Sequence, residues 1–407
     1  MHIGVAAQPL FSPRTGIGRY ALDLVTGLAA YEPTMTVSLV TDFGSLLTWQ
    51  QYCDASSRNE SLKSEGKTIT PFQWFRSLVA MQPTLSLAHL RLQAKILGHR
   101  LADSGLSCFH SPNFFSPEVA LPRVVTIHDL STIDHPEWHP RARVERTNLS
   151  IELSANSDEI ITISNFTKHR IVSALNIHPS KVTVTHLYAG DSFVPMPMCD
   201  PASELVLDGL GVQFRRYSLC VSTIEPRKNI DRLLLAYRLL PASLRAAQPL
   251  VLAGGYGWKS RSTLVLIEAG QREGWLRYVG RLTDHQLQTL TRAAAFAVFP
   301  SLYEGFGLPV VEALACGIRI VLADTEVGRE VAGDSGFYFR ADSVSELVDA
   351  VRAGSDAVFS DGAISENSID RSVFFTKEKC LKTTVEIYKR AHVRCGLGGY
   401  PKSGSGV

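Results

Sequence analysis

Short β-branched runs alternate with amphipathic helical stretches along most of this chain, and that alternation limits the fold more than any other feature. Strand–helix–strand units of this kind build parallel sheets covered on both faces by helices. Strands are expected at 3–7, 36–41, 124–127, 159–163 and 181–185, and again at 218–222, 249–253, 276–279, 296–299 and 319–323. Between the two sets, residues 188–201 contain Pro195, Pro197 and Pro201 and follow neither period, which predicts a linker. At 407 residues the chain is long enough for two or three domains of about 150 residues. The expected fold class is therefore α/β, with two Rossmann-like parallel-sheet domains, 1–190 and 191–375, facing a cleft. A helix over 376–393 is expected to pack back towards the first domain, ahead of a loose tail at 394–407.

Lys+Arg 41 against Asp+Glu 39 leaves a net charge of +2, so attraction to an anion has to come from local placement, and nucleic acid is excluded as a bulk partner. The first seven residues lack the basic flank and long apolar stretch of a signal peptide and read as a strand. No apolar run is long enough to span a bilayer, so a cytoplasmic protein is expected. The seven cysteines include no Cys-x-x-Cys pair, and Cys220 and Cys316 lie in apolar runs. Buried thiols in a reducing compartment are expected, with no disulfide framework and no metal site. Residues 76–100 interleave Leu78, Val79, Leu85, Leu87, Leu90, Leu92, Ile96 and Leu97 with Arg76, Arg91, Lys95 and Arg100. Two readings stand: an interfacial helix making peripheral membrane contact, or a domain helix with a solvated basic face, in either case broken at Pro83.

The most informative stretch is 296–317. A buried strand runs into a loop with Gly305 and Gly307, and a helix then opens near Pro309 and stops at Gly317. The backbone N–H groups of Phe306, Gly307 and Leu308 are expected to point out of that helix start, where a phosphate is favoured. Glu304 falls in the loop and Glu312, eight positions on, in the first turn, so both carboxylates are expected to face one ligand and accept hydroxyl hydrogen bonds. Upstream, the strand at 218–222 runs into Thr223-Ile-Glu-Pro-Arg227-Lys228-Asn229, which sets two adjacent cations at a strand end, with Asn229 as the expected helix cap. Gly16-Ile17-Gly18-Arg19-Tyr20-Ala21 matches the dinucleotide fingerprint, although Gln8–Thr15 separates it from the first strand. His128 follows the strand at 124–127 directly, and Ser164 is placed to cap a helix after 159–163.

The ungapped string from Glu304 through seven residues to Glu312 resembles the signature of retaining GT-B glycosyltransferases of family 4. Arg227 and Lys228 resemble that family's phosphate-binding pair, and Val279-Gly280-Arg281-Leu282-Thr283-Asp284 its loop beside the nucleobase. His128-Asp129 resembles its donor-sugar histidine, and 131–146, with Pro136-Glu137-Trp138, its mannosyltransferase-like branch. Gly16 and Gly18 correspond to a loop near the donor phosphates, though many members have two adjacent glycines there. The resemblance spans 1–390 and is weakest over 49–102.

The resemblance implies a retaining, metal-independent hexosyltransferase in bacterial surface polysaccharide synthesis. Its catalytic residues would be His128, Glu304, Arg227 and Lys228. Donor binding would fall to Gly16, Gly18, Arg227, Lys228, Arg281, Leu282, Glu304, Gly305, Phe306, Gly307, Leu308 and Glu312. No cofactor is implied beyond a nucleotide diphosphate sugar, with GDP-mannose favoured. The implied acceptor is a saccharide, often lipid-linked at the inner face of the membrane. No Asp-x-Asp pair occurs in the chain to hold a metal against a diphosphate. Two other classes stay open: an NAD-dependent oxidoreductase using 16–21, and a non-catalytic sugar-binding protein.

Overall fold

The computed structural model describes residues 1–11, 16–42, 44–54, 83–362 and 364–398. Two compact units emerge. The first comprises Met1–Pro136, Pro140–His186 and the chain from Lys377; the second comprises Glu137–His139 and Leu187–Thr376. The three-residue piece of the second unit is held there by Trp258, whose indole N–H donates to Trp138 O at 2.8 Å.

Among the described residues the first unit carries seven strands: β1 (His2–Ala6), β2 (Thr36–Val40), β3 (Leu46–Leu47), β4 (Cys108–Ser111), β5 (Arg123–Ile127), β6 (Glu159–Thr162) and β7 (Val182–Val184). Their order is β3-β2-β1-β4-β5-β6-β7, parallel except for β3 on β2. The sequence reading did not expect β4, which lies mid-sheet; its Cys-Phe-His-Ser run has polar residues where a buried strand usually has aliphatic ones. The second unit orders β8 (Ser218–Val221), β9 (Leu250–Ala253), β10 (Leu276–Gly280), β11 (Phe296–Phe299), β12 (Arg319–Ala323) and β13 (Gly336–Phe339) as β10-β9-β8-β11-β12-β13, all parallel. Here β13 was unexpected, an aromatic edge strand opening on Gly336. Its core gathers Leu250, Leu252, Phe296, Val298 and Val321 beneath Tyr237 and Trp275.

Both sheets reverse their winding between the first strand of the unit and the next strand inserted beside it, at β1/β4 and at β8/β11. Such a switch point opens a crevice at the strands' carboxyl ends, because successive connections leave in opposite directions. The segment 185–200 carries neither helix nor strand, and Asp200 then caps the helix Pro201–Leu210.

Within 76–100, Arg76, Leu78 and Val79 lie outside the described residues. Pro83 is the first residue of the helix Pro83–Ala102, where a helix start has no use for the missing N–H, and what precedes it in the segment lies outside the described residues. Leu90, Leu97 and Leu101 are buried while Arg91, Lys95 and Arg100 are exposed, so the helix turns leucines inward and a basic face outward. Among the described residues no helix is long and apolar enough to cross a membrane. Cys108, Cys220, Cys316 and Cys380 are buried. The helix expected over 376–393 runs from Lys377 to Gly398, and the rest of the tail lies outside the described residues.

Candidate active site

At the second unit's switch point, β8 ends at Val221 and the chain makes a single short helical turn, Pro226–Lys228. Asn229 leaves that turn in the left-handed region at φ 56°, a conformation asparagine tolerates. Its side chain does not cap the helix Ile230–Leu239, contrary to the sequence expectation. Instead Asn229 Nδ2 donates to Pro300 O and Ala341 O, both at 3.0 Å, and the Leu302 N–H donates to Arg227 O at 2.8 Å. These bonds stitch the cationic turn to the loop that follows β11, and so fix where Arg227 and Lys228 stand.

That second loop carries Glu304. Arg227 Nη1 lies 3.2 Å from Glu304 Oε2, the Lys228 ammonium donates to Glu304 Oε1, and Ser301 Oγ donates to the same oxygen at 2.7 Å. Burial pushes the Glu304 carboxyl up, but the charges of Lys228 and Arg227 and the hydrogen bonds from Lys228 and Ser301 outweigh it and hold the group below its ordinary value. The carboxylate is thus ionised near neutrality.

Phe306 anchors the loop by packing edge-on against Phe375, with ring centroids 5.4 Å apart. Gly307, at φ 102°, precedes the helix Leu308–Ala315. No residue with a side chain takes that conformation without strain. Pro309 has no N–H and that of Val310 closes on Gly307 O at 2.9 Å, so Gly307 and Leu308 are the donors this helix start leaves without a helical acceptor. Phe306 lies one residue outside the cap. Glu312 is the fifth helical residue and therefore not in the first turn as expected; it is buried, and its charge adds to the burial that pushes the Cys316 thiol up.

At the edge of the sheet, beyond β8 and β9, β10 ends at Gly280, and the Gly254 N–H donates to Gly280 O at 2.7 Å. Arg281 then lies across Gly255, where a Cβ would come within 2.4 Å of its Nε. Leu282 leads into Thr283, which forms a capping box with Gln286. Arg281 and Leu282 therefore sit at the carboxyl ends of β9 and β10, while Arg227, Lys228 and Glu304 sit at those of β8 and β11.

The remaining expected residues belong to the first unit. Gly16 and Gly18 are the first and third residues of the helix Gly16–Tyr31, and a short 3-10 turn, Gln8–Phe11, separates them from β1. The tight strand-to-helix glycine turn of a dinucleotide fingerprint is therefore not formed, which removes the basis of the oxidoreductase reading. His128 follows β5, and its Nε2–H donates to Pro112 O at 2.8 Å. Burial lowers its pKa, so the ring is neutral and Nδ1 is an acceptor. The Tyr20 and Phe114 rings hold it edge-on, at 5.1 and 6.0 Å.

Sequence reasoning missed the polar chain behind His128. Tyr20 OH and His110 Nε2 both meet Thr126 Oγ1 at 2.9 Å, and His110 Nδ1 meets Tyr388 OH at 2.6 Å. Burial pushes the His110 pKa down to about 3, so that ring too is neutral. It also missed Ser301 and Glu225, whose Oε1 accepts from Arg227 Nε at 2.8 Å. The signal for Glu225 was its place two residues ahead of an Arg-Lys pair in a proline turn.

The glycosyl transferases group 1 family matches residues 213–355, the span that holds Arg227, Lys228, Arg281, Glu304 and Glu312. O-antigen chain mannosyltransferase B of Escherichia coli is 34% identical over 395 residues, covering 96% of this chain and 100% of that protein. In fold the chain is similar to WaaG, a glycosyltransferase involved in lipopolysaccharide biosynthesis, at a TM-score of 0.69 and 14% identity over 95% of this chain and 99% of that one. Sucrose-phosphate synthase from Thermosynechococcus elongatus gives 0.69 at 16% identity, over 97% and 99% of the two chains. Two parallel-sheet units, a GT-B fold likeness and a relative matched along its whole length lead to one conclusion: the chain belongs to the group 1 glycosyltransferases and is a GT-B enzyme of the family that includes O-antigen chain mannosyltransferase B.

Proposed function

We propose that this glycosyltransferase moves mannose from GDP-mannose, with retained configuration and without a metal, to a hydroxyl of a saccharide acceptor in surface polysaccharide synthesis. The observation that carries the reading is the grip of Arg227 and Lys228 on one carboxylate, Glu304, at the β8/β11 switch point. An incoming diphosphate is a better partner for both cations than a single carboxylate: Lys228 meets it as a point charge, Arg227 through its planar fork. The exchange frees Glu304 to accept the sugar hydroxyls. The N–H groups of Gly307 and Leu308 add donors at a helix start, where negative charge is favoured.

As the glycosidic bond breaks, charge grows on the diphosphate while the sugar becomes oxocarbenium-like, and the fixed cations stabilise the first of these. The acceptor hydroxyl attacks on the face the phosphate leaves, and the phosphate takes its proton. Glu312 is assigned to the ribose hydroxyls and the turn at Arg281 and Leu282 to the base. Neutral His128 offers Nδ1 to a substrate hydroxyl. Mannose is favoured because the full-length relative in Escherichia coli is a mannosyltransferase of the O-antigen chain.

The test is nucleoside diphosphate release from GDP-mannose, its 6-deoxy counterpart and UDP-glucose, with a panel of saccharide acceptors and with chelator. GDP-mannose should be turned over first, unaffected by chelator. Release from UDP-glucose alone would sink the donor assignment, and loss of activity in chelator that Mg2+ restores would sink the metal-free one.

A further inference from the structure

Arg227 is held from behind by a second carboxylate. Its Nε donates to Glu225 Oε1 at 2.8 Å, and the Glu225 side chain is only 2% exposed. The backbone beneath Glu225 is pinned on both sides. Ile224 bridges to Tyr256, its N–H donates to Gly255 O, and the Gly257 N–H returns to Ile224 O, both bonds at 3.0 Å. A Cβ on Gly257 would lie 2.9 Å from Ile224 O and 3.2 Å from Glu225 Cβ, so the loop closes over Glu225 because that residue is glycine. The Lys228 N–H donates to Glu225 O at 3.0 Å and completes the turn. A carboxylate this buried has to be paired, and Arg227 is placed to pair it. Arg227 Nη1 meanwhile reaches Tyr303 O and Glu304 Oε2, each at 3.2 Å. With Glu225 gone, the guanidinium would be drawn further towards Glu304.

We propose that Glu225 is a positioning residue that fixes the Arg227 guanidinium by Nε, so that its terminal nitrogens are the edge presented to the donor diphosphate. The inference rests on the reading of Arg227 as a diphosphate ligand. Lysine at 227 would carry its donors on a single nitrogen at the end of a flexible stem, with no separate Nε edge to be held while a second edge is presented.

The experiment is steady-state release of nucleoside diphosphate from whichever of GDP-mannose and UDP-glucose the full chain turns over, with melting temperatures recorded alongside. Glu225→Ala should lower kcat roughly 10- to 100-fold with donor KM changed by less than about threefold, as expected when a group is misaimed and not removed. Glu225→Gln keeps an oxygen for Nε and should recover most of the loss. Glu225→Asp keeps the charge but falls a methylene short, and should not. In an Arg227→Ala background, Glu225→Ala should add less than about twofold. An equal loss in both backgrounds, or an aspartate variant better than the glutamine one, overturns the inference. If the alanine variant does not fold, the Gln and Asp pair decides it. A silent Arg227→Ala points to a different failure, that of the diphosphate reading itself, and takes the inference with it.

Discussion

Glu304 shows how a single carboxylate can be the most informative residue of a site. Two cations and a hydroxyl converge on it, and its oxygens are the partners a diphosphate would displace. Because its folded-state pKa lies below the ordinary 4.5, its ionised form adds stability that is fully present above that value and is lost as pH falls below it towards the folded pKa. The melting-temperature difference between wild type and Glu304→Gln should therefore be steady from about pH 8 to pH 5 and shrink as the solution is acidified past about 4.5. A difference that is the same at about pH 3.5 as at neutrality would show that the cations do not hold the carboxylate in this way. Glu304, Arg227 and Lys228 could be singled out in the sequence because the strings around them resemble a family signature, although an Arg-Lys pair alone is common. Glu225 was passed over, because one acid two residues ahead of an Arg-Lys pair is a weak signal until the fold turns Arg227 back upon it.

At the scale of elements, punctuation was the readable part. Gly317, at φ +69°, ends the helix Leu308–Ala315 in a Schellman motif: the Ile318 N–H donates to Ala313 O and the Gly317 N–H to Leu314 O, both at 2.9 Å. Pro309 marked the other end, as its second residue, but the place of Glu312 within the helix was misjudged. The helix begins at Leu308, straight after the left-handed Gly307 and one residue ahead of Pro309, and that earlier start makes Glu312 the fifth residue, just past the first turn. Strand β4 was invisible for a different reason, since His110 and Ser111 are polar residues held in a buried strand by long-range partners such as Tyr388.

Long-range pairing also decides how the C-terminal helix Lys377–Gly398 is held. Glu159, at the head of β6, is fully buried and meets Arg390 Nη2 at 3.2 Å and Arg394 Nη1 at 3.0 Å, while both arginines remain about half exposed. Glu159→Gln removes the buried charge together with the pair and leaves the arginines to water, so about 1–2 kcal/mol is expected once solvent screening is allowed for. Replacing Arg390 and Arg394 together by Ala strands the carboxylate inside and should cost more, roughly 3–5 kcal/mol. Thermal denaturation of the two variants checks the order, and a glutamine variant less stable than the double alanine variant would contradict it.

For the whole molecule, composition set the class and little else: a net charge of +2 excluded a general polyanion binder, and the strand–helix alternation announced two parallel sheets. The chain returns to its first unit after completing the second, as expected of the helix over 376–393, but the alternation itself does not encode which side chains hold it there. The return is written in side chains that look like any amphipathic helix until their partners are known. Leu381, Val385, Ile387 and Tyr388 are all buried, and Leu381 lies where a Cβ on Gly27 would come within 3.0 Å. Burial of four such side chains contributes about 1.5–3 kcal/mol each, comparable in sum to the about 5–15 kcal/mol that keeps a domain folded. A chain ending at residue 376 should therefore lose the first unit while leaving the core of the second untouched. Limited proteolysis read by mass spectrometry should show new cleavages throughout 1–186, apart from the segment at 137–139, with 187–376 still protected. A truncated chain that melts and is cleaved like the full one would mean that the first sheet holds together without the helix that closes it.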